Sequence, residues 1–446
     1  MLHDPAAERL APLLSQLENF ERSRPDKRAW DLRNAMALLS AIAPASGYGA
    51  GGPGSGGQVG RGKRIQVGGS KGKGTACAFL GALAQNAGLR AGCYLSPHVT
   101  TILERFLVDG EPMSCDTIET HLRLVLAWAD QLAIRATFFE ALTVAAVLAF
   151  EVQRTDLAIY EVGLGGRFDA TTAIPLTTSI LTGVELEHTN VLGSTVSAIA
   201  AEKAWIVREG GLAFTAARGD ALAVIEHRAR EVGAKLFVLG TDLHLEGASW
   251  SGTEYRSKLV LQDGREVSVR LPDARGYEPP ALALAAGAFA AMFPDVELHL
   301  DPAPRPWALP CRFEIAMSPD GSPFVFDGAH TEQSLAAVAD EFRRRWPDRK
   351  ATVLFGSAVD KRWRQGLSAL LSIADSFVLT ELTGTVGEDP EVVADWLAAQ
   401  GSVQVVIRSI PDALDAVLAA PSPRLCCGSF YLAGEVRALL AARTRP

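Results

Sequence analysis

Apolar and polar positions along the chain follow periodicities that predict where helices and strands lie. Within residues 6–42, apolar side chains recur at intervals of three and four, which is typical of amphipathic helices, and Pro25 interrupts the pattern. We therefore expect two helices there. Residues 48–62 are rich in glycine and lack large apolar side chains, so we interpret this stretch as a mobile surface loop.

From residue 64 onward, short apolar runs typical of strands alternate with helical patterns. Such alternation indicates crossover connections and a mostly parallel sheet covered on both faces. The predicted strands are 64–67, 92–95, 157–162 and 179–182, and the predicted helices are 75–87, 118–133, 139–153 and 195–207. Residues 235–271 show short alternating strands and glycine-rich turns, which predict an antiparallel appendage.

A proline-rich segment at 301–310 ends this first pattern. Its four prolines leave little capacity for regular structure, so we place the boundary between two domains there, at 1–302 and 303–446. Beyond it the alternation restarts and predicts a smaller, doubly wound α/β domain. Its predicted strands are 324–326, 352–355, 377–380, 403–407 and 424–427, and its predicted helices are 332–346, 363–373, 391–399, 411–420 and 432–443.

Composition supports a globular protein of more than one domain. A chain of 446 residues exceeds what one hydrophobic core usually organises, and 48% hydrophobic with 21% charged residues is an ordinary globular composition. The net charge of −8 argues against nucleic acid as a partner. The chain start lacks a signal-peptide pattern and no apolar run approaches membrane-spanning length, so we expect a cytoplasmic monomer without a membrane partner, with its six cysteines reduced.

A glycine-rich loop, GGSKGKGT at 68–75, lies between a predicted strand and a predicted helix. Backbone N–H groups and the positive end of a helix suit a phosphate there, with Lys73 reaching the terminal phosphates and the Thr75 hydroxyl suiting Mg²⁺. The strict Walker A pattern fails at Val67 and at Gly74, and a flexible glycine turn with exposed lysines is the alternative. The predicted fold class is therefore α/β: a P-loop-containing, mostly parallel sheet domain with a small antiparallel appendage, followed by a smaller Rossmann-like α/β domain.

Several short motifs occur in one order along the chain. The main ones are GSKGKGT at 69–75, LSPH at 95–98, TFFE at 137–140, EVGLGGRFDAT at 161–171, EHT at 187–189, EKA at 202–204 and DGAH at 327–330. Smaller ones are FERSR at 20–24, PCRFE at 310–314, FGSAVDK at 355–361 and GSFYLAGEVR at 428–437. Together they resemble the folylpolyglutamate synthase/dihydrofolate synthase family of the Mur-type ATP-dependent amide ligases.

The resemblance implies an ATP-dependent ligase that adds L-glutamate to a folate or dihydropteroate carboxylate. In such a reaction the carboxylate attacks the γ-phosphorus of ATP, and an amino group then displaces phosphate from the acyl phosphate to leave an amide. ATP and two Mg²⁺ ions are the implied cofactors, with 1–302 as the ATP-binding domain and 303–446 as the C-terminal ligase domain. Two alternatives stay open: a ligase of the same fold that acts on another carboxylic acid, and a nucleotide-binding paralogue with little or no catalysis.

The residue roles that the resemblance implies fall into four overlapping groups. The metal ligands would be Thr75, Ser96, Glu161 and His188. The ATP-binding residues would be Gly69, Ser70, Lys71, Gly72, Lys73, Gly74, Thr75, Arg312 and Asp327. The substrate-binding residues would be Ser96, Pro97, His98, Phe138 and Phe139. The catalytic residues would be Lys73, His188, Lys203, Arg312, Asp327 and His330, with Lys203 carbamylated.

Several of these residues also have a plain structural interpretation. Glu161 ends a buried strand, where a carboxylate is costly unless it is paired or binds a metal, but it could instead cap the glycine turn that follows. A lone lysine such as Lys203 is usually a solvated surface charge, and Asp327 could cap a helix. Phe138 and Phe139 could be ordinary core residues.

The chain departs from the family pattern at a few positions. Lys71 places a second cation against the phosphates. Near the adenine, the contacts are expected to be rebuilt or lost. The departing positions are Ser70 and Lys71 in the loop, Glu187 before His188, Thr331 after DGAH, and Glu278, Pro279 and Leu282 near the adenine.

Overall fold

The structure of the protein is a computed structural model that describes residues 5–19, 31–46, 62–359, 363–421 and 423–444. The described chain divides into two compact units, one within residues 5–308 and the other from residue 309 onward. Most of the glycine-rich stretch 48–62 lies outside the described residues, as do the FERSR motif and the last two residues of FGSAVDK. Of the described helices, none combines the length with the apolar character that a membrane span needs.

The larger unit alternates helices with strands. Its helices are α1 (Pro5–Leu14), α2 (Arg33–Ser46), α3 (Lys73–Asn86), α4 (Cys115–Gln131), α5 (Phe138–Val152), α6 (Thr189–Leu192), α7 (Val196–Lys203), α8 (Gly219–Glu231) and α9 (Glu278–Met292). Its strands are β1 (Lys63–Gly68), β2 (Ala91–Tyr94), β3 (Phe106–Val108), β4 (Glu111–Pro112), β5 (Leu157–Glu161), β6 (Thr178–Leu181), β7 (Leu212–Thr215), β8 (Lys235–Val238), β9 (His244–Ser251), β10 (Glu254–Val260) and β11 (Glu266–Leu271).

The main sheet places β1 at its centre. Its strand order is β4-β3-β2-β5-β1-β6-β7-β8, and all neighbours from β2 to β8 are parallel, whereas β3 and β4 form an antiparallel edge. Val67 of β1 pairs with Glu161 of β5 on one side and with Ile180 of β6 on the other. The carboxyl ends of these three strands therefore meet at one edge, which is where open α/β sheets bind ligands.

The antiparallel appendage is real but smaller than the sequence pattern predicts. Strands β9, β10 and β11 form a three-stranded antiparallel sheet, as expected. The assignment of 235–238 to this appendage is wrong, because β8 pairs in parallel with β7 in the main sheet. Helix α8 connects β7 to β8 as a crossover, and a strand reached through a helix returns parallel to its predecessor.

The smaller unit is a second α/β structure. Its strands are β12 (Glu314–Met317), β13 (Pro323–Phe326), β14 (Ala351–Phe355), β15 (Ala374–Leu379), β16 (Val403–Val406) and β17 (Arg424–Cys427). Its helices are α10 (Glu332–Arg345), α11 (Trp363–Leu370), α12 (Pro390–Ala399), α13 (Ile410–Ala419) and α14 (Phe430–Thr444). The sheet order is β12-β13-β17-β14-β15-β16, parallel except for β12. The predicted fold class is confirmed.

The division between the units falls later in the proline-rich segment than the predicted boundary. Residues after 302 still pack on the larger unit: the N–H of Ala303 donates to the carbonyl of Arg270 at 2.9 Å. The indole Nε1 of Trp307 donates to Gln85 Oε1 at 3.1 Å. A Cβ at Gly81 of α3 would lie 2.5 Å from the Trp307 ring, so only glycine allows this contact.

We expect Trp307→Ala to lower the free energy of unfolding by about 3 kcal/mol, because a buried indole packed on α3 is lost. Urea denaturation followed by circular dichroism measures the change. The matched control is Trp250→Ala, since Trp250 is 41% exposed and should contribute much less. Equal losses in the two variants would contradict the anchoring role of Trp307.

Candidate active site

The glycine-rich loop joins β1 to α3 at the carboxyl edge of the main sheet. Gly69 and Gly72 have φ angles of +132° and +79°, which other residues rarely adopt. A Cβ at Gly69 would lie 2.1 Å from the hydroxyl oxygen of Thr182, so the loop can pack against β6 only with glycine here. Gly72 is the N-cap of α3 and offers no side chain to cover the helix start. This geometry suits a phosphate.

Residues that follow β6 fasten the loop in place. The N–H of Ser70 donates to the carbonyl of Gly183 at 2.7 Å, and the hydroxyl of Thr182 donates to the carbonyl of Lys71 at 2.5 Å. In the other direction, the N–H of Glu185 donates to the Ser70 hydroxyl at 3.0 Å. The loop is therefore held by the neighbouring strand end and is not a flexible glycine turn.

Two ammonium groups converge on the carbonyl oxygen of Gly69. Lys73 Nζ lies 3.3 Å and Lys203 Nζ lies 3.0 Å from it. The interpretation of Lys203 as a solvated surface charge is wrong, because the side chain is only 3% exposed and forms an ion pair with Glu187 at 3.0 Å. Burial lowers the pKa of Lys203, and the charges of Lys73 and Lys71 lower it further, although Glu187 opposes them.

Glu187 supplies the negative charge of this cluster. Burial alone would raise its pKa, but the ammonium groups of Lys203, Lys73 and Lys71 together hold the pKa at about 2. His188 follows directly, begins α6 in a left-handed conformation with φ +46°, and exposes its side chain. The Glu187 carboxylate therefore stays ionised at neutral pH beside the phosphate loop.

Glu161 and Ser96 form a second part of the site, at the ends of β5 and β2. The Glu161 side chain is buried, and its Oε2 accepts from the backbone N–H of Ser96 at 2.8 Å. The hydroxyl of Ser96 is enclosed and has no hydrogen-bond partner among the residues that the structure describes. A buried hydroxyl oxygen beside a buried carboxylate fits the all-oxygen coordination of Mg²⁺.

The remaining metal donors are of mixed type. Thr75 is buried in the first turn of α3. Across the described part of the chain, no group of three or more His, Cys, Asp or Glu side chains is arranged to hold a metal ion. A cation at Glu161 would therefore depend on hydroxyl groups, water and ligand phosphates, which is how Mg²⁺ often binds with nucleotides.

Asp169, which the sequence analysis does not single out, caps the glycine turn after β5. Its carboxylate accepts from the N–H groups of Gly163 at 2.9 Å, Leu164 at 3.0 Å and Thr171 at 3.0 Å. Burial raises the pKa of Asp169 and these hydrogen bonds oppose the rise. Asp169 therefore caps this turn, and Glu161 remains a candidate ligand. An aspartate three residues after the last glycine of the turn is the signal that could have found it.

The predicted substrate-binding residues have different environments. Pro97 is exposed, whereas His98 is half-buried and its Nδ1 accepts from the guanidinium Nε of Arg105 at 2.8 Å. Phe138 is a core residue whose ring lies 5.4 Å from the same guanidinium. Phe139 packs partly on the core, and a Cβ at Gly163 would lie 2.7 Å from its ring. The sequence analysis missed Arg105, which is fully buried and links His98 to Phe138.

In the smaller unit, Arg312 and His330 both contact the ring of Phe430. The Arg312 guanidinium is 4.0 Å from the Phe430 ring centre, and the His330 ring is 6.1 Å from it, edge to face. Asp327 accepts from the N–H groups of Phe313 and Ala329, both at 2.7 Å. The helix-capping interpretation of Asp327 is wrong, because the N-cap of α10 is Thr331.

The positions expected near the adenine serve the fold. Glu278 is buried and forms an ion pair with Arg275, with Nη1 2.7 Å from Oε1. Its other oxygen accepts from the Arg275 N–H at 2.8 Å. Pro279 and Leu282 are buried in α9. These contacts of Glu278 with Arg275 therefore stabilise the start of α9.

Known proteins resemble this chain over its whole length. The family described as Mur ligase, glutamate ligase domain, matches residues 311–428. The probable bifunctional folylpolyglutamate synthase/dihydropteroate synthase of Haloferax volcanii is 31% identical over 84% of this chain, which spans only 45% of that relative. The dihydrofolate synthase/folylpolyglutamate synthase of Escherichia coli is 28% identical, over 98% of this chain and 97% of the relative. This chain is similar to the folylpolyglutamate synthase/dihydrofolate synthase family.

A solved structure agrees with this similarity to the folylpolyglutamate synthase/dihydrofolate synthase family. Escherichia coli FolC in complex with DHPP and ADP matches with a TM-score of 0.81 and 26% identity, over 98% of both chains. The resemblance that the ordered motifs indicate is therefore confirmed. The roles of the individual site residues remain predictions.

The stability contributed by Glu187 should depend on pH in a defined direction. Its pKa of about 2 lies below the ordinary value of 4.5, so its carboxylate stabilises the fold above pH 4.5 and loses that effect as the pH falls towards 2. We expect the Glu187→Gln variant to have a lower Tm than the native chain at pH 7. Near pH 3 the two Tm values should approach each other. Differential scanning calorimetry across this range measures both.

Glu185→Gln is the matched control for this pH dependence. Burial raises the pKa of Glu185, so its carboxylate costs stability at neutral pH, and removing the charge should not lower Tm there. A fall in Tm at pH 7 that is equal in the two variants would contradict the ion-pair account of Glu187.

Proposed function

We propose that the protein is an ATP-dependent ligase that joins the carboxylate of a folate or dihydropteroate to the amino group of L-glutamate. Similarity to folylpolyglutamate and dihydrofolate synthases supports the reaction class. The observation that carries the proposal is the fastened glycine loop at the start of α3, where Lys73 and Lys203 both contact the Gly69 carbonyl. Such a loop concentrates N–H groups and positive charge where a triphosphate would bind.

In the first step the substrate carboxylate oxygen attacks the γ-phosphorus of ATP and ADP leaves. Phosphoryl transfer depends on alignment and charge neutralisation, and Lys73 and the start of α3 supply both. Mg²⁺ ions, when bound, would neutralise charge that develops on the transferred phosphoryl group. We assign Thr75, Ser96, Glu161 and His188 to hold them.

The second step forms the amide. The amino nitrogen of L-glutamate attacks the acyl carbon, the bond to phosphate breaks, and the nitrogen loses a proton. We assign Arg312, Asp327 and His330 the nucleotide-binding and catalytic roles that family resemblance implies. Phe430 orients two of them, since both Arg312 and His330 contact its ring. Among the predicted residues that bind the carboxylic acid substrate, His98 accepts a hydrogen bond from Arg105 at Nδ1. This contact places the imidazole proton on Nε2.

The decisive assay measures ADP release with L-glutamate and either reduced folates or dihydropteroate. We expect turnover that requires ATP, L-glutamate, the folate or dihydropteroate, and Mg²⁺. We expect Lys73→Met to reduce kcat/KM by at least about 100-fold, because a cation that stabilises the transition state is lost. Lys258→Met is the matched control, because Lys258 lies on β10 outside the loop.

A panel of other carboxylic acids completes the assay. ADP release with another acid, but not with folates or dihydropteroate, would show that the proposed substrate class is wrong and that the proposed ligase reaction is right. No ADP release with any acid, despite nucleotide binding, would identify a paralogue without catalysis. Equal activity of Lys73→Met and the native chain would show that the loop is not the phosphate site.

A further inference from the structure

The phosphate loop of this chain contains a second lysine, Lys71, at a position where the chain departs from the family pattern. Its backbone carbonyl is fixed by the Thr182 hydroxyl at 2.5 Å, and its side chain is half-buried. Burial raises the pKa of Glu185 and the charge of Lys71 opposes that rise; the same charge helps to lower the pKa of Glu187, so Lys71 is within electrostatic reach of both carboxylates. Lys71 is thus part of the charge cluster and not a distant surface lysine.

Glu185 lies against the same loop. Its backbone N–H donates to the Ser70 hydroxyl at 3.0 Å, and Ser70 in turn donates to Gly183 at 2.7 Å, so the residue before Lys71 and the segment of Glu185 are bound to each other. One carboxylate oxygen of Glu185, Oε2, is enclosed and has no hydrogen-bond partner within the described ranges. An enclosed carboxylate without full hydrogen bonding depends on a nearby cation.

An anion beside a phosphate loop opposes the binding of a polyphosphate. Here Glu185 would repel the ligand directly and would also attract Lys71, the cation that the ligand could use. A ligand with more charge competes better for that cation, since the interaction grows with the product of the charges. The third phosphate of a nucleoside triphosphate gives it this advantage over the diphosphate product.

We propose that Lys71 is a second phosphate-binding cation of the loop and that Glu185 restrains it, so that the pair sets the preference for nucleoside triphosphate over diphosphate. This inference rests on the proposed function, because it requires the loop to hold the nucleotide phosphates. It adds a specificity-determining pair to the site. With a diphosphate bound, Lys71 keeps its interaction with Glu185, whereas with a triphosphate bound, Lys71 interacts with the phosphates instead.

The experiment measures Kd of Mg²⁺-AMPPCP and Mg²⁺-ADP by isothermal titration calorimetry. The proteins are the native chain, Lys71→Met, Glu185→Gln and the double variant. We expect Lys71→Met to weaken AMPPCP binding about tenfold, which corresponds to 1.4 kcal/mol, and ADP binding less than about threefold. We expect Glu185→Gln to tighten AMPPCP binding about threefold, and we expect most of this gain to disappear in the double variant.

The double variant separates the two effects of Glu185. Direct repulsion of the ligand does not need Lys71, whereas restraint of Lys71 does. The proposal would be overturned if Glu185→Gln tightened AMPPCP binding equally with and without Lys71. It would also be overturned if Lys71→Met left the ratio of the AMPPCP and ADP Kd values unchanged. Lys71→Arg keeps the cation and should keep the native ratio, and circular dichroism confirms that each variant folds.

Lys73→Met distinguishes this proposal from the proposed function. Suppose that Lys73→Met abolishes the binding of both AMPPCP and ADP while Lys71→Met changes neither Kd. This result would overturn only the pairing of Lys71 and Glu185. Unchanged binding in Lys73→Met would overturn the placement of phosphates at the loop, and with it the proposed function.

Discussion

The candidate site depends on positive charge gathered around one backbone carbonyl. The oxygen of Gly69 accepts from Lys73 and Lys203, and Lys71 lies in the same loop. Ammonium groups held together in a partly buried place repel one another and need anions beside them. Glu187 supplies one such anion, and a polyphosphate would supply more. The loop therefore favours an anionic ligand before any detail of that ligand is considered.

The fold creates this arrangement through the order of its central strands. Because β1 lies between β5 and β6, the phosphate loop, Glu161 and the segment of Glu187 all emerge from one edge of the sheet. Gly69 is required where the loop packs on Thr182. The burial that makes the sheet stable also lowers the effective dielectric around the charges, so each ion pair there has a larger effect than it would have at the surface.

The sequence predicts the parts of the structure that have a strong local signal. Alternating strands and helices indicate both α/β units, and the glycine loop indicates where β1 passes into α3. Strand β12 is missed because it has only four residues and lies at a sheet edge, where each of them is at least partly exposed. Residues 235–238 are misassigned because an edge strand reached through α8 has the same short pattern as a hairpin strand.

The site is predictable only in part, since its contacts join residues far apart in the chain. Motif order identifies Lys73, Glu161 and Lys203, but not that Lys203 is buried and paired with Glu187. Arg105, Asp169 and Phe430 act through neighbours that only the folded chain supplies. A sequence pattern records residue types, whereas hydrogen-bond partners depend on tertiary packing.

A crystal structure of the protein with AMPPCP and Mn²⁺ in place of Mg²⁺ tests the central claim most directly, because Mn²⁺ is located by its anomalous scattering. The account predicts that the phosphates lie against residues 69–73 with Lys73 in contact, and that Mn²⁺ peaks lie beside Glu161 and Ser96. Phosphates bound elsewhere, or Mn²⁺ peaks away from Glu161 with the loop vacant, would contradict it.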